Sequence, residues 1–392
     1  MKVALLCSGL GHVNRGHEIF ARDLFNLLHD SIDITLFKGG GSPTAKEVVI
    51  DNVPRNAACL SNIHLAVSPR WKVAMQEQER IRIETETFAH GALRPLLEGG
   101  YDVIHCLEQE VCERLYGFRH LFARTPKLLF SNGGAIPAAK LPSCDFVQEH
   151  TEYNLQHSAR HKAFCIPHGV DTTRFQPGIP TDFRARHGIP ADAFVVISVG
   201  TICYWHKRMD YVIRELAEVP DARLVIVGQE CADTPEIIAL GKQLMADRIT
   251  FTKLPHDELP QAYAAADAFV LGSLFETFGI VYIEAMAMGL PVFCTDHPNQ
   301  RSIVREGVFL NLKQAGALRN AIAQRDPLLM QQLRDRGPKI VHEAYSLNRL
   351  KSAYIDQYNR ISQAHVTLPV YSLQTKLQDN VRSFVKRLSR IA

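Results

Sequence analysis

Gly272-Ser273-Leu274-Phe275-Glu276-Thr277-Phe278-Gly279-Ile280-Val281-Tyr282-Ile283-Glu284-Ala285-Met286-Ala287-Met288-Gly289-Leu290-Pro291-Val292 is the stretch on which the reading of this chain turns. From Ile280 to Met288 it is apolar nearly all round, the pattern of a helix buried on every side. Glu284 sits in the middle of that helix, and a buried carboxylate needs a partner or a ligand hydroxyl. Glu276 lies in the loop before the helix. Phe278-Gly279 leaves bare backbone N–H groups at the helix start, suited to an anion or a sugar hydroxyl. The plain alternative pairs Glu284 with an arginine and makes Glu276 a solvated cap. Two acids, a glycine and a buried helix in one stretch favour a site.

Working outward, short apolar runs alternate with helical spacing. Strands are expected at 194–199, 223–227, 249–251, 268–271 and 291–294, with helices at 208–218, 235–246, 257–265 and 279–288. The N-terminal half repeats the alternation, with strands at 3–7, 32–37, 102–106 and 127–130 and helices at 15–29 and 74–98. Such alternation implies parallel sheets covered by helices, an α/β chain of two units. Between them, Ile166-Pro167-His168-Gly169-Val170-Asp171 and the residues to Pro177 are rich in turn formers. The expected organisation is a domain over 1–165, a linker over 166–178, a second domain over 179–345, a helix over 346–365 returning to the first domain, and a tail over 366–392.

Composition narrows the function classes. The 392 residues are 46% hydrophobic and 22% charged, which suits a globular protein. Lys+Arg is 44 against Asp+Glu 41, a net charge of +3, too balanced to coat nucleic acid. Nine cysteines, an odd number without a C-x-x-C pair, read as reduced thiols in a cytoplasmic protein. The opening apolar run is too short for a signal peptide, and nothing approaches a membrane span. His157 and His161 are spaced for one helix face, but no further ligands accompany them, so no metal site is expected.

Two more loops follow strands. Ser8-Gly9-Leu10-Gly11-His12-Val13-Asn14-Arg15-Gly16 resembles the dinucleotide fingerprint G-x-G-x-x-G but fails it at Asn14. Gly11 lets the backbone approach a ligand, and His12 and Arg15 add a base and a cation that a plain turn does not need. Gly200-Thr201 and Lys207-Arg208 place two cations ahead of a helix at the edge of the second sheet, suited to a diphosphate or to a solvated basic turn. His105 closes the strand at 102–106. Asn132-Gly133-Gly134 follows the strand at 127–130.

Together these stretches resemble the retaining GT-B glycosyltransferases of glycosyltransferase family 4. Glu276 to Glu284 matches the family's E-x7-E motif. Ile166 to Pro177 is similar to its linker signature, and Gly200 and Lys207 fit its phosphate-binding G-R-x5-K pattern at both ends. Thr201 stands where the family has Arg, so the usual pair of phosphate cations is incomplete. The resemblance covers 160–345 well and the N-terminal half loosely.

The resemblance implies two Rossmann-like domains facing a cleft. A nucleotide-diphospho-sugar donor would sit on the C-terminal domain and a glycan, lipid or small-molecule acceptor on the N-terminal one. By carry-over Glu276 binds the transferred sugar, Glu284 the ribose, and Lys207 the departing diphosphate. Phe278, Gly279, Gly200, Gly11, Arg15 and Arg208 complete the donor side, and His12, His105 and Asn132 the acceptor side. Glu276, Lys207 and His105 are the expected catalytic residues, with no metal or other cofactor. Another GT-B activity, a sugar epimerase or phosphorylase, and a non-catalytic nucleotide-sugar-binding protein stay open. From Leu373 to Ala392 an amphipathic basic pattern suits either the inner face of an anionic membrane or packing on the chain's own domain.

Overall fold

The computed structural model describes residues 1–13, 16–366 and 368. Two parallel sheets organise them. The first runs β1 (Lys2–Cys7), β2 (Asp33–Lys38), β3 (Glu47–Val49), β4 (Val103–Cys106), β5 (Lys127–Ser131), β6 (Phe146–Glu149) and β7 (Ala163–Cys165), in the order β3-β2-β1-β4-β5-β6-β7. The second holds β8 (Phe194–Val199), β9 (Ala222–Val227), β10 (Ile249–Thr252), β11 (Ala268–Val270), β12 (Val292–Thr295) and β13 (Val308–Leu310), in the order β10-β9-β8-β11-β12-β13. Every pairing is parallel, so each sheet needs helical crossovers and is covered on both faces. The expected α/β architecture of two Rossmann-like units is what folds, and in each the order reverses beside the first strand, leaving a crevice at the carboxyl ends.

The side-chain alternation of β1 shows how the first sheet is covered. Val3, Leu5 and Cys7 join a core under the helix Gly16–Leu28, while Ala4 and Leu6 join the opposite core under the helix Pro69–Gly99. The helix Leu347–Gln363 also lies on the first of these faces. Its Leu350, Tyr354, Tyr358 and Ile361 are buried in the N-terminal core although they follow the whole second sheet in sequence.

The chain therefore crosses between the units twice. The crossings are stitched together where Val170 N–H donates to Tyr345 O at 2.9 Å and Leu347 N–H to Val170 O at 3.1 Å. Gly169 is needed at this point, because a Cβ there would lie 2.6 Å from Leu347 Cδ2. Beside the stitch, the His168 ring stacks on His150 at 3.9 Å and meets the edges of Phe20 and Phe278 at 4.5 and 4.9 Å. Residues of the first unit, the linker and the second unit thus share one packed contact.

Candidate active site

The helix Ile280–Ala287 opens from Gly279, whose φ of 74° is one that glycine adopts without strain. The loop before it is fixed through its carbonyls. Asn299 Nδ2 donates to Glu276 O at 2.6 Å and to Thr277 O at 3.0 Å, and Asn154 Nδ2 reaches Thr277 O from the first unit at 3.3 Å. Phe278 anchors the loop by burying its ring against His168 and Tyr345. What remains for a ligand is backbone: the first N–H groups of the helix, which have no intrahelical acceptors.

Glu276 is buried, and its Oε1 accepts from Lys207 Nζ at 2.6 Å and from Ser273 Oγ at 2.5 Å. Lys207 lies along the bare face of Gly200, where a Cβ would sit 3.0 Å from its Cε. The second carboxylate is held as firmly. His256 Nε2 stands 2.8 Å from Glu284 Oε1, and Tyr263 OH donates to Oε2 at 2.9 Å. Burial pulls the His256 pKa down, but the hydrogen bond and charge of Glu284 outweigh it and hold it above the ordinary value. Arg174, from the linker region, donates to His256 O at 2.9 Å. Each carboxylate oxygen of Glu284 has one neighbour from the pair and a lone pair left for a ligand hydroxyl.

The two units approach each other here. A Cβ on Gly16, at the start of the N-terminal helix, would lie 3.8 Å from Ile280 Cδ1. Two helix N-termini thus come together at the carboxyl edges of their sheets, where backbone N–H groups and dipoles favour an anion.

Other expected residues go elsewhere. His105 does not reach the cleft. It shares the face of Val103, is fully buried, and places Nδ1 2.7 Å from Tyr358 OH and Nε2 2.8 Å from Ser131 Oγ. Burial pushes its pKa down to about 3, so it is a neutral core histidine under the returning helix. Asn132 is also buried: its Nδ2 donates to Ile136 O and to Glu149 Oε1, each at 2.9 Å, and its Oδ1 accepts from Ile136 N–H, so the amide shapes its own loop. Arg208 donates to Gly272 O at 3.2 Å and Leu312 O at 3.0 Å and lies over the Tyr211 ring, which makes it a strut between loops. His12 Nε2 is 2.6 Å from Gly39 O, and Gly11 is packed so closely on Gly40 that a Cβ would overlap its backbone. Those two hold the glycine loop against its neighbour. Arg15 and the tail from Leu373 to Ala392 lie outside the described residues.

Three residues that sequence reasoning passed over stand at this cleft. His256 follows β10, Glu108 follows β4, and His17 opens the N-terminal helix. Each sits at the carboxyl edge of a strand or at a helix start, which was the available signal. Cys7, His17 and Glu108 bring one donor atom each within 4.8 Å of one another, the only such trio among the described residues. Glu108 and His17 already face each other at 3.4 Å, and burial holds the Cys7 thiol well above its ordinary pKa, so the trio is balanced without an ion.

Comparison with known proteins fits this geometry. Residues 180–332 match the family described as glycosyl transferases group 1. D-inositol 3-phosphate glycosyltransferase of Mycolicibacterium smegmatis is 34% identical over 147 residues, 36% of this chain and 33% of that protein. Its counterpart in Catenulispora acidiphila is 33% identical over 168 residues, 39% of this chain and 40% of that protein. The matched stretch thus spans well under half the length of these curated relatives. Sucrose-phosphate synthase of Thermosynechococcus elongatus superposes with a TM-score of 0.74 at 22% identity, covering 92% of this chain and 98% of that one. Anabaena HepE in complex with UDP and glucose gives 0.70 at 16% identity, covering 92% and 100%. The chain therefore carries a glycosyl transferases group 1 domain over residues 180–332, built into a two-domain GT-B fold.

Proposed function

We propose that the chain is a retaining glycosyltransferase that moves a hexosyl group from a nucleotide-diphospho-sugar to an acceptor hydroxyl. The observation that carries this reading is the Lys207–Glu276 pair, 2.6 Å apart beside the start of the helix Ile280–Ala287. A cation and free N–H groups meet there beside a carboxylate, the combination a charged leaving group next to a sugar requires. The relatives named as glycosyltransferases and the neighbour bound to UDP and glucose support it.

In this reading the Lys207 ammonium and the first N–H groups of the helix neutralise the departing diphosphate, electrostatic stabilisation aimed at developing charge. Glu276 accepts hydrogen bonds from the transferred sugar, and Glu284, steadied by His256 and Tyr263, accepts them from the ribose. The acceptor hydroxyl attacks from the face the diphosphate leaves, so configuration is retained, and its proton passes to the diphosphate. These protein groups carry the charge, so transfer is expected to survive a metal chelator. No helix among the described residues is long and apolar enough to cross a membrane. Nine unpaired cysteines support the cytoplasmic setting we assign.

The test is thermal stability with UDP, GDP, ADP and CMP and then their sugars, on wild type and Glu284→Ala. A ligand at a hundred times its dissociation constant adds about 2.7 kcal/mol of stability. One nucleotide should raise the melting temperature of wild type and not of the variant. The matching sugar should then be transferred with its anomeric configuration unchanged by NMR. No shift with any nucleotide would overturn the reading, and an inverted product would overturn retention.

A further inference from the structure

The loop between β8 and the helix Met209–Ala217 carries a side chain that neither the fold nor the diphosphate chemistry uses. Trp205 is 81% exposed, the most exposed large apolar side chain among the described residues. A tryptophan is usually well covered, and leaving it in water forgoes the burial of about 150–250 Å². The exposure is built into the loop, because the backbone on either side is tied down. Ile202 N–H donates to Gln229 O at 3.0 Å, Tyr204 N–H to Asp233 Oδ2 at 3.1 Å, and Met209 N–H to Cys203 O at 3.2 Å.

Its neighbours set the indole beside the Lys207–Glu276 pair. The Trp205 ring stacks on His206, with centroids 5.1 Å apart and planes 24° from parallel. His206 Nε2 stands 3.6 Å from Glu276 Oε1, the oxygen that accepts from Lys207. Burial lowers the His206 pKa more than the Glu276 charge raises it, so at neutral pH the stacked rings carry no charge. The rings continue past this point. His206 lies beside the backbone of Phe275, whose half-exposed ring meets His297 edge-on at 5.3 Å. His297 in turn meets Tyr153 of the first unit at 5.4 Å. A strip of partly exposed rings therefore leads from the pair across to the first unit.

Such a strip selects its occupant. Its rings offer flat faces, and His206, His297 and Tyr153 add hydrogen-bonding atoms at the ring edges. A pyranose has the complementary make-up, with C–H groups on its faces and hydroxyls around its rim. An acyl chain would need a continuous apolar groove, which the two imidazoles interrupt. A nucleobase belongs with the ribose at Glu284, which His256 and Tyr263 hold, whereas His206 stands against Glu276. We propose that Trp205 is the platform for the acceptor, which is a saccharide of two or more rings: the reacting ring lies beside the Lys207–Glu276 pair and the next ring stacks on the indole. The assignment rests on the glycosyltransferase reading above and narrows its acceptor to one chemical class.

The experiment gives the intact chain, with the donor found by thermal shift, the methyl glycosides of glucose, galactose and mannose and the di- and trisaccharides of each. In wild type the best oligosaccharide should have a KM about tenfold below that of its methyl glycoside, the upper end of what one aromatic stack contributes. Trp205→Ala should abolish most of that advantage through KM rather than kcat, with the donor-induced thermal shift kept, and Trp205→Phe should recover much of it. The chain has two tryptophans, so in Trp71→Phe the emission comes from Trp205 alone. With donor bound, the oligosaccharide should shield that emission from acrylamide quenching and the methyl glycoside should not. Equal losses for short and long acceptors in Trp205→Ala, or loss of its donor shift, would overturn the assignment. So would a wild type that binds donor and either shows no preference for the longer saccharides or transfers to none of them. The absence of any donor shift in wild type would instead strike the glycosyltransferase reading itself, so the two failures are distinct.

Discussion

Lys207 and Glu276, 69 positions apart in sequence, meet at 2.6 Å between Nζ and Oε1. Glu276 is buried, so the lysine neutralises a carboxylate that water cannot reach. Removing one partner of a buried pair costs roughly 3–5 kcal/mol, because the other is left uncompensated. Lys207→Met should fall at the low end of that range, since Ser273 Oγ still donates to Glu276. The double variant Lys207→Met with Glu276→Gln should regain most of the loss in urea unfolding while both remain unable to bind donor. Equal instability of the single and double variants would mean the two groups are not coupled.

Acid should weaken the fold through its buried histidines. Burial lowers the pKa of His105 to about 3, of His150 to about 3, and of His168 well below its usual value. Unfolded, each takes up its proton near pH 6.5. Between these values the unfolded state holds more protons, so stability is complete above pH 6.5 and falls as pH drops toward 3. Each histidine contributes about 1 kcal/mol of loss between pH 7 and 5.5 by this linkage. Urea midpoints at the two pH values should differ less in His150→Gln with His168→Gln, which removes the stacked pair at the domain contact. An unchanged pH dependence would place the protonation elsewhere.

The same histidines show what the sequence could convey. Long apolar strands such as β1, β8 and β9 are readable, because each is a run of β-branched and aliphatic residues ending in glycine or polar residues. The short strands β3, β6, β7 and β13 are not: Glu47–Val49 or Ala163–Cys165 carry too few residues for any period. His105 is instructive. A strand covered on both faces has no polar side to mark an orientation, so sequence gives no sign that this imidazole shares the face of Val103. What buries it is Tyr358, from a helix 253 positions away. Glu276, Glu284 and Lys207 were legible because their motif is local. His256 and Glu108 were not, because a single polar residue after a strand is ordinary until the fold shows what it faces.

Tyr263 and His256 are expected to act through Glu284. Tyr263→Phe removes one donor at 2.9 Å and leaves Glu284 Oε2 buried without it. The penalty for such an unsatisfied acceptor is about 1–3 kcal/mol. Donor affinity should weaken by roughly five- to tenfold with little change in acceptor KM, as measured by titration calorimetry with the stabilising nucleotide. His256→Ala should weaken it further, since the partner at Oε1 is lost as well. Normal donor affinity in both variants would show that Glu284 needs no support.

Gly200 offers the sharpest test of how the cation is aimed. Its φ is 150°, and a Cβ would press at 3.0 Å on Lys207 Cε and at 3.2 Å on Cδ. The neighbour is the flexible part of a lysine, so Gly200→Ala should fold, with a strain cost of about 1–3 kcal/mol for the backbone. The lysine would be pushed off Glu276, and transfer should fall by roughly tenfold, equivalent to 1.4 kcal/mol at the barrier. If Gly200 acts only through Lys207, adding Gly200→Ala to Lys207→Met should change transfer no further, because residues that share one contact are not additive. Additive losses in kcat/KM would mean that the bare backbone at Gly200 itself approaches the donor.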